Sequence, residues 1–143
     1  MMLLDTNVLS ELRKASRCDP AVAAWQQTQA LDRQFVSVIS LLELKLGIEL
    51  EPRKNVESTT RLKLWYEGRV KSTFQDRILP VDITVAEACA NLHAERTRPY
   101  RDSLLAATAL VHGLVVVTRN AADFADTGLV VVNPWDHSIQ SNE

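Results

Sequence analysis

"SLLELKLGIELE", Ser40 to Glu51, decides the fold because it fits two incompatible backbones. From Leu42 to Leu50 apolar and polar residues alternate, which is the period of a half-buried strand. Ser40 and Glu43, however, form a Ser-x-x-Glu capping box, the usual start of a helix. Leu, Glu and Lys favour helix, Ile48 is the single β-branched residue, and an unbroken strand of twelve residues would be long. The stretch is therefore read as a helix. Its apolar residues then form two stripes, Leu41, Leu44 and Ile48 on one side and Leu42, Leu46 and Leu50 on another. Such a helix needs a second packing partner beyond its own sheet, and another subunit is the expectation.

Outward from this stretch, strand and helix patterns alternate. "MMLL", "QFVSVIS", "GLVVVT" and "LVVVN" are short apolar runs bounded by turn residues and read as strands. Asp19 caps and Pro20 opens a helix with Ala21, Ala24, Trp25 and Thr28 on one face. Leu62, Trp65, Tyr66, Val70 and Phe74 make a second helical stripe. A capping box of Thr84 and Glu87 starts a third helix, which presents Val85, Cys89 and Leu92 to the core and carries His93 as a structural or surface histidine. "SLLAATALVH" has almost no polar face, so it is expected to be buried on most sides, with Gly113 ending it. Apolar strands separated by helices predict an α/β fold with a central parallel sheet and helices on both faces. A site in such a fold lies at the carboxyl ends of the strands.

With 143 residues, 46% hydrophobic and 24% charged, the chain is expected to form a single domain with one sizeable core. Cys18 and Cys89 have no C-x-x-C partner, so neither a zinc site nor a disulfide framework is indicated, and a reducing cytoplasm fits. Asp5 interrupts the first apolar run and no stretch approaches a membrane span, so the chain reads as soluble and unprocessed. The net charge of -2 excludes no partner, but its distribution is uneven. Between Pro52 and Arg77 seven Lys or Arg face three acids, whereas from Asn120 onward four acids occur with no Lys or Arg. Such asymmetry is either solvated surface or an anion-binding face. The final "SIQSNE" reads as a dispensable tail.

Four acids have a bland and a chemical reading each. Asp5 in "LLDTNVLSEL" and Asp102 before "SLLAATA" are good helix N-caps, and Glu43 is the capping-box glutamate. Asp123 in "TRNAADF" has Asn-x-x-Asp spacing to Asn120, as turns do. Their placement is the stronger signal, because Asp5 and Asp123 end or follow strands while Glu43 and Asp102 begin helices that pack nearby. Converging carboxylates repel by about 4 kcal/mol per close pair at an effective dielectric of 20. All-oxygen ligation without paired His or Cys points to Mg²⁺ or Mn²⁺ as the remedy. Such ions activate water and stabilise a leaving oxygen at a phosphodiester.

"LLDTNVLSEL", "VSVISLLELKLG", "DSLLAATALVHGLVVVTRNAADF" and "VVVNPW" together resemble the PIN-domain nucleases, specifically the VapC- and FitB-like toxins of toxin–antitoxin pairs. The resemblance runs from Met2 to about Trp135. It implies a single PIN domain over residues 1–143 and a Mg²⁺- or Mn²⁺-dependent endoribonuclease. Asp5, Glu43, Asp102 and Asp123 match the family's catalytic, metal-holding acids. Thr6, Asn7, Thr118 and Asn120 match neighbouring polar positions that would orient ligands and water. Arg98, Arg101 and Arg119 are the substrate-binding candidates, with Arg96 also close to the acids in sequence. The resemblance further implies a homodimer and an inhibiting cognate antitoxin. A helix or extended tail of that antitoxin is expected to cover the acidic groove, with an Arg among the carboxylates supplying charge in place of the metal.

One departure stands out: where the family commonly carries Gly-Arg-Pro and a longer connection before its third acid, this chain has "TRPYRD", with Thr97 in the glycine's place. That shortening is the best support for an alternative, a catalytically impaired PIN-like domain that binds RNA or protein. A haloacid-dehalogenase-like phosphatase is disfavoured because Asn7 stands where Asp-x-Asp needs its second acid, and a receiver domain because no strand-end Lys is found.

Overall fold

The computed structural model describes residues 1–51 and 55–139. Pro52, Arg53 and Lys54, which open the basic segment, and most of the C-terminal tail lie outside the described residues.

Five short strands, β1 (Met2–Leu4), β2 (Gln34–Ser37), β3 (Ile78–Leu79), β4 (Val115–Val117) and β5 (Val131–Val132), form one parallel sheet in the order β3-β2-β1-β4-β5. The chain leaves β1 toward β2 and β3, then crosses back to build β4 and β5 on the other side. The order therefore reverses between β1 and β4, and the crevice at their carboxyl ends is where ligands bind in open α/β sheets. β3 had no counterpart among the sequence-predicted strands. It is only two residues long and ends at Pro80, too short for a readable pattern.

Alternation along the strands feeds two cores. Leu3 and Val116 point into one with Val85, Cys89 and Leu92 of α6 (Ile83–Glu95) and Leu105, Ala106 and Ala109 of α7 (Tyr100–His112). Leu4, Val36 and Val117 point into the other. There they meet Val8 and Leu9 of α1 (Thr6–Leu12), Trp25 of α2 (Pro20–Gln27) and Leu44 of α3 (Val38–Glu49), together with Val70 and Phe74. The sheet is thus covered on both faces.

Helix boundaries refine several expectations. Asp19 caps α2 by accepting from the N–H groups of Ala21 and Val22, although Val22 and Trp25, more than Ala21 or Ala24, are the residues it buries. The stripe from Leu62 to Phe74 is one helical stretch built from α4 (Val56–Trp65), a π-turn at Tyr66–Val70 and the single turn α5 (Lys71–Thr73). Asp82, not Thr84, caps α6, accepting from Val85 N–H at 2.9 Å. Gly113 ends α7 in the left-handed region, at φ +66°, where a side chain would be strained.

The stretch from Ser40 to Glu51 is helical, but its helix begins earlier than the capping box implied. Ser37, at the end of β2, is the N-cap and its hydroxyl accepts from Ile39 N–H at 3.0 Å. Ser40 and Glu43 are consequently inside α3 with side chains free for other work. Leu44 and Ile48 are buried, whereas Leu42, Leu46 and Leu50 are 59%, 49% and 66% exposed. One stripe packs on the chain itself and the other faces outward.

This asymmetry predicts that Leu44→Ala costs about 2–5 kcal/mol in urea denaturation, as buried truncations do. Leu46→Ala is expected to change stability by no more than about 0.5 kcal/mol at monomer concentrations.

Candidate active site

Asp5 leaves β1 at its carboxyl end, with its backbone N–H donating to Val117 O of the adjacent β4 at 2.9 Å. Its extended backbone makes it the N-cap of α1, and Oδ1 accepts from Thr6 N–H at 2.7 Å. The cap explains the local geometry without exhausting the carboxylate. Oδ2 accepts from the hydroxyl of Thr118 at 2.8 Å and from Asn7 Nδ2 at 3.4 Å. Thr118, fully buried just after β4, accepts in turn from Asn7 Nδ2 at 3.3 Å and from Asn120 N–H at 3.0 Å. Asp5 is 2% exposed, so these donors replace the water it has lost.

Glu43 comes to the same place from α3. Its Oε1 accepts from the hydroxyl of Thr6 at 2.7 Å, and the buried Ser40 hydroxyl lies 3.0 Å from that of Thr6. Ser40 and Glu43, paired by sequence as a cap, are instead both tied to the first residue of α1. Asp102 also proves not to be a cap: α7 begins at Tyr100 after Pro99, which puts Asp102 in the first turn, buried.

One side chain joins the three acids. The Arg101 guanidinium donates through Nε to Glu43 Oε2 at 2.7 Å, through Nη1 to Asp102 Oδ1 at 3.0 Å and through Nη2 to Asp5 Oδ1. Burial opposes its charge, but the hydrogen bonds and negative charges of Glu43 and Asp5 outweigh burial and hold its pKa above the usual arginine value. Asp102 also shifts upward, which for an acid disfavours the charged form. Burial, together with repulsion from Asp123 and Asp5, pushes its carboxyl above the ordinary aspartate range despite the pairing with Arg101.

Glu43 and Asp102, but not the buried Asp5, open onto a cleft of about 650 Å³ lined also by Thr6, Asn7, Ser10, Glu11, Lys14, Pro99, Arg101, Arg119, Asn120, Asp123 and Trp135. Asp123 sits at its rim on the 3₁₀ turn Ala121–Phe124, exposed, and its carboxylate has no hydrogen-bond or ion-pair partner among the described residues. Arg119 lies with its guanidinium carbon 5.2 Å from the Trp135 ring centroid, and its backbone N–H donates to Asn7 Oδ1 at 3.2 Å. Glu11 and Lys14 were not among the sequence candidates. The ion pair with Lys14 at 2.6 Å, and the hydrogen bond from Asp19 N–H at 2.8 Å, hold the Glu11 carboxyl below its usual range.

Not every predicted arginine reaches the acids. Arg98 is buried and donates to Leu92 O at 3.2 Å, closing the end of α6, so it has no free face for a substrate phosphate. Arg96 pairs with Asp126 at 3.0 Å on the surface. Arg101 arrives, but its guanidinium engages carboxylates.

The all-oxygen donor set of Asp5, Glu43, Asp102 and Asp123 suits a hard divalent cation. In the arrangement described, Arg101 takes one oxygen from each of the first three. Among the described residues no group of three or more His, Cys, Asp and Glu side chains is spaced as a metal-holding set. The donor chemistry fits Mg²⁺ or Mn²⁺; the guanidinium has the position.

The PIN domain family model matches residues 2–129. The VapC ribonuclease Y4jK of Sinorhizobium fredii is 36% identical over 141 residues, covering 95% of this chain and 99% of the relative. Toxin FitB of Neisseria gonorrhoeae is 33% identical over 140 residues, covering 94% and 99%. The crystal structure of FitAcB from that organism superposes with a TM-score of 0.86 at 33% identity, covering 95% of this chain and 99% of that one. A toxin–antitoxin complex from Klebsiella pneumoniae gives a TM-score of 0.66 at 28% identity, covering 94% and 98%.

The Thr118 hydroxyl donates to Asp5 Oδ2 and accepts from Asn120 N–H, so Thr118→Val, which keeps shape and removes the hydroxyl, tests both bonds together. It is expected to lower stability by about 1–3 kcal/mol in thermal denaturation, because a buried carboxylate oxygen loses its strongest donor. Thr118→Ser is expected to retain most of it.

Proposed function

The chain belongs to the PIN-domain family, and on that premise we propose that it is a toxin of a toxin–antitoxin pair that acts as a divalent-metal-dependent endoribonuclease. The observation that carries the reading is the convergence of Asp5, Glu43 and Asp102 on one cation at the β1/β4 switch point, with Asp123 unpaired at the rim. Support comes also from the ribonuclease and toxin names of relatives similar over nearly their whole length. We read residues 1–143 as a single PIN domain with its core at about 2–135.

Asp5, Glu43, Asp102 and Asp123 would hold Mg²⁺ or Mn²⁺, which when bound supplies Lewis-acid activation of water and charge neutralisation at the scissile phosphate. The chain's own contribution is orientation. Thr118 and Asn7 fix Asp5 from one side while Thr6 fixes Glu43, so the carboxylates cannot rotate away from one another. The Arg119 guanidinium, braced over Trp135, lies at the rim where a substrate phosphate would pass. No side-chain nucleophile is required.

The antitoxin partner is proposed from the similarity to a protein solved as a toxin–antitoxin complex. The outward face of α3, Leu42, Leu46 and Leu50, is apolar and is where we place a homodimer contact or part of the antitoxin contact. No helix among the described residues is long and apolar enough to cross a membrane; the cytoplasmic site of action is proposed from the ribonuclease reading.

The second reading, a binding module without catalysis, is favoured by the same Arg101, since a permanently seated guanidinium would bar a metal. Purified Asp5→Asn protein separates the two. We expect it to remain folded by circular dichroism and to lose RNA cleavage in Mn²⁺ by at least about a hundredfold, in line with removal of a metal-holding group. Cleavage undiminished in Asp5→Asn, or wild-type protein that neither cleaves nor takes up Mn²⁺, rules out the nuclease reading.

A further inference from the structure

We propose that Arg101 is a resident counter-cation which a divalent ion must displace from Asp5, Glu43 and Asp102, so that this one arginine sets the metal concentration at which the site loads. The inference rests on the metal-dependent reading above and adds to it a competitor built into the chain.

Of the six carboxylate oxygens of these three acids, five accept hydrogen bonds among the described residues. Asp5 Oδ2 is held by Thr118 and Asn7, and Glu43 Oε1 by Thr6. Asp5 Oδ1, Glu43 Oε2 and Asp102 Oδ1 are held by Arg101, with Thr6 N–H also on the first. The Thr and Asn donors take the outer oxygens and the guanidinium takes one inner oxygen from each acid. Withdrawing Arg101 would therefore release one oxygen from each of Asp5, Glu43 and Asp102, while the Thr and Asn donors keep Asp5 and Glu43 oriented and the first turn of α7 carries Asp102. That is a set a hard cation uses.

Charge sets the direction of the exchange. Three carboxylates opposed by one guanidinium leave a net charge of −2, whereas a divalent ion in its place leaves −1. Against this, Arg101 precedes Asp102 in the first turn of α7 and is tethered at the site, so its effective concentration is high. Its side chain is 31% exposed, unlike the 1% of Asp5, which leaves it a way out toward the cleft. Metal must therefore win the site from an ion already there.

Calorimetric titration of Mn²⁺ into the full chain tests this with wild type, Arg101→Gln, Arg101→Lys and Asp5→Asn. Expected are Mn²⁺ binding by Arg101→Gln at least about tenfold tighter than by wild type, Arg101→Lys between them because a single ammonium cannot span three carboxylates, and little binding by Asp5→Asn. Equal affinity in wild type and Arg101→Gln, or weaker binding by Arg101→Gln, overturns the competition and leaves the metal reading standing. Absence of binding in every protein overturns both.

A second measurement needs no substitution, should Arg101→Gln fail to fold. The Arg101 Nε–H resonance of ¹⁵N-labelled wild type is expected to move toward the free-arginine position as Mg²⁺ is added, over the range in which calorimetry sees binding. Saturation with Mg²⁺ while that resonance stays in place contradicts displacement.

Discussion

Asp5 cannot be buried at the end of β1 unless something answers its charge, and most of the local architecture is that answer. Donors from Thr6, Asn7 and Thr118 occupy it on three sides, and the Arg101 guanidinium closes the fourth. Because Arg101 also grips Glu43 and Asp102, one cation fastens β1, α3 and α7 together at their shared edge. Unpaired carboxylates at such spacing would repel by about 4 kcal/mol per pair even with generous screening. The cation position is thus a structural requirement of the fold as well as the place where chemistry is proposed to occur. Stability and the proposed function draw on the same interaction.

The parallel sheet was legible because Leu3, Leu4 and the valines of β4 and β5 form apolar runs broken by helix-period segments. Which acids meet was legible too, since Asp5 follows a strand and Glu43 and Asp102 lie early in helices that flank it. What each acid does locally was less so. The Ser40–Glu43 spacing matches a capping box, yet Ser37, the last residue of β2, supplies the cap and leaves Ser40 and Glu43 to meet α1. Local spacing states what a pair can do; tertiary neighbours decided otherwise.

The arginines show the same limit. Arg96, Arg98 and Arg101 are spaced two and three residues apart, and nothing in that spacing distinguishes a surface pair with Asp126, a buried donor to Leu92 O and a guanidinium among three carboxylates. The difference comes from Pro99, which starts α7 and so puts Arg101 in a first turn facing the sheet edge, while Arg98 folds back on α6. "TRPYRD" is therefore more than a shortened connection. It is the segment that delivers a positive charge into the acidic cluster, and it gives the departure from the family pattern a physical consequence.

Leu42, Leu46 and Leu50 pose a related question, since α3 carries Glu43 on one side and an exposed apolar stripe on another. A partner seated on that stripe would stiffen the helix that positions Glu43, linking assembly to the geometry of the acids. The most direct test of the account is a crystal structure of the chain grown with Mn²⁺, read by anomalous scattering. The account predicts a Mn²⁺ peak bounded by Asp5, Glu43 and Asp102, with Arg101 turned into the cleft. A Mn²⁺-saturated structure in which Arg101 still bridges all three acids, with the metal elsewhere, would contradict it.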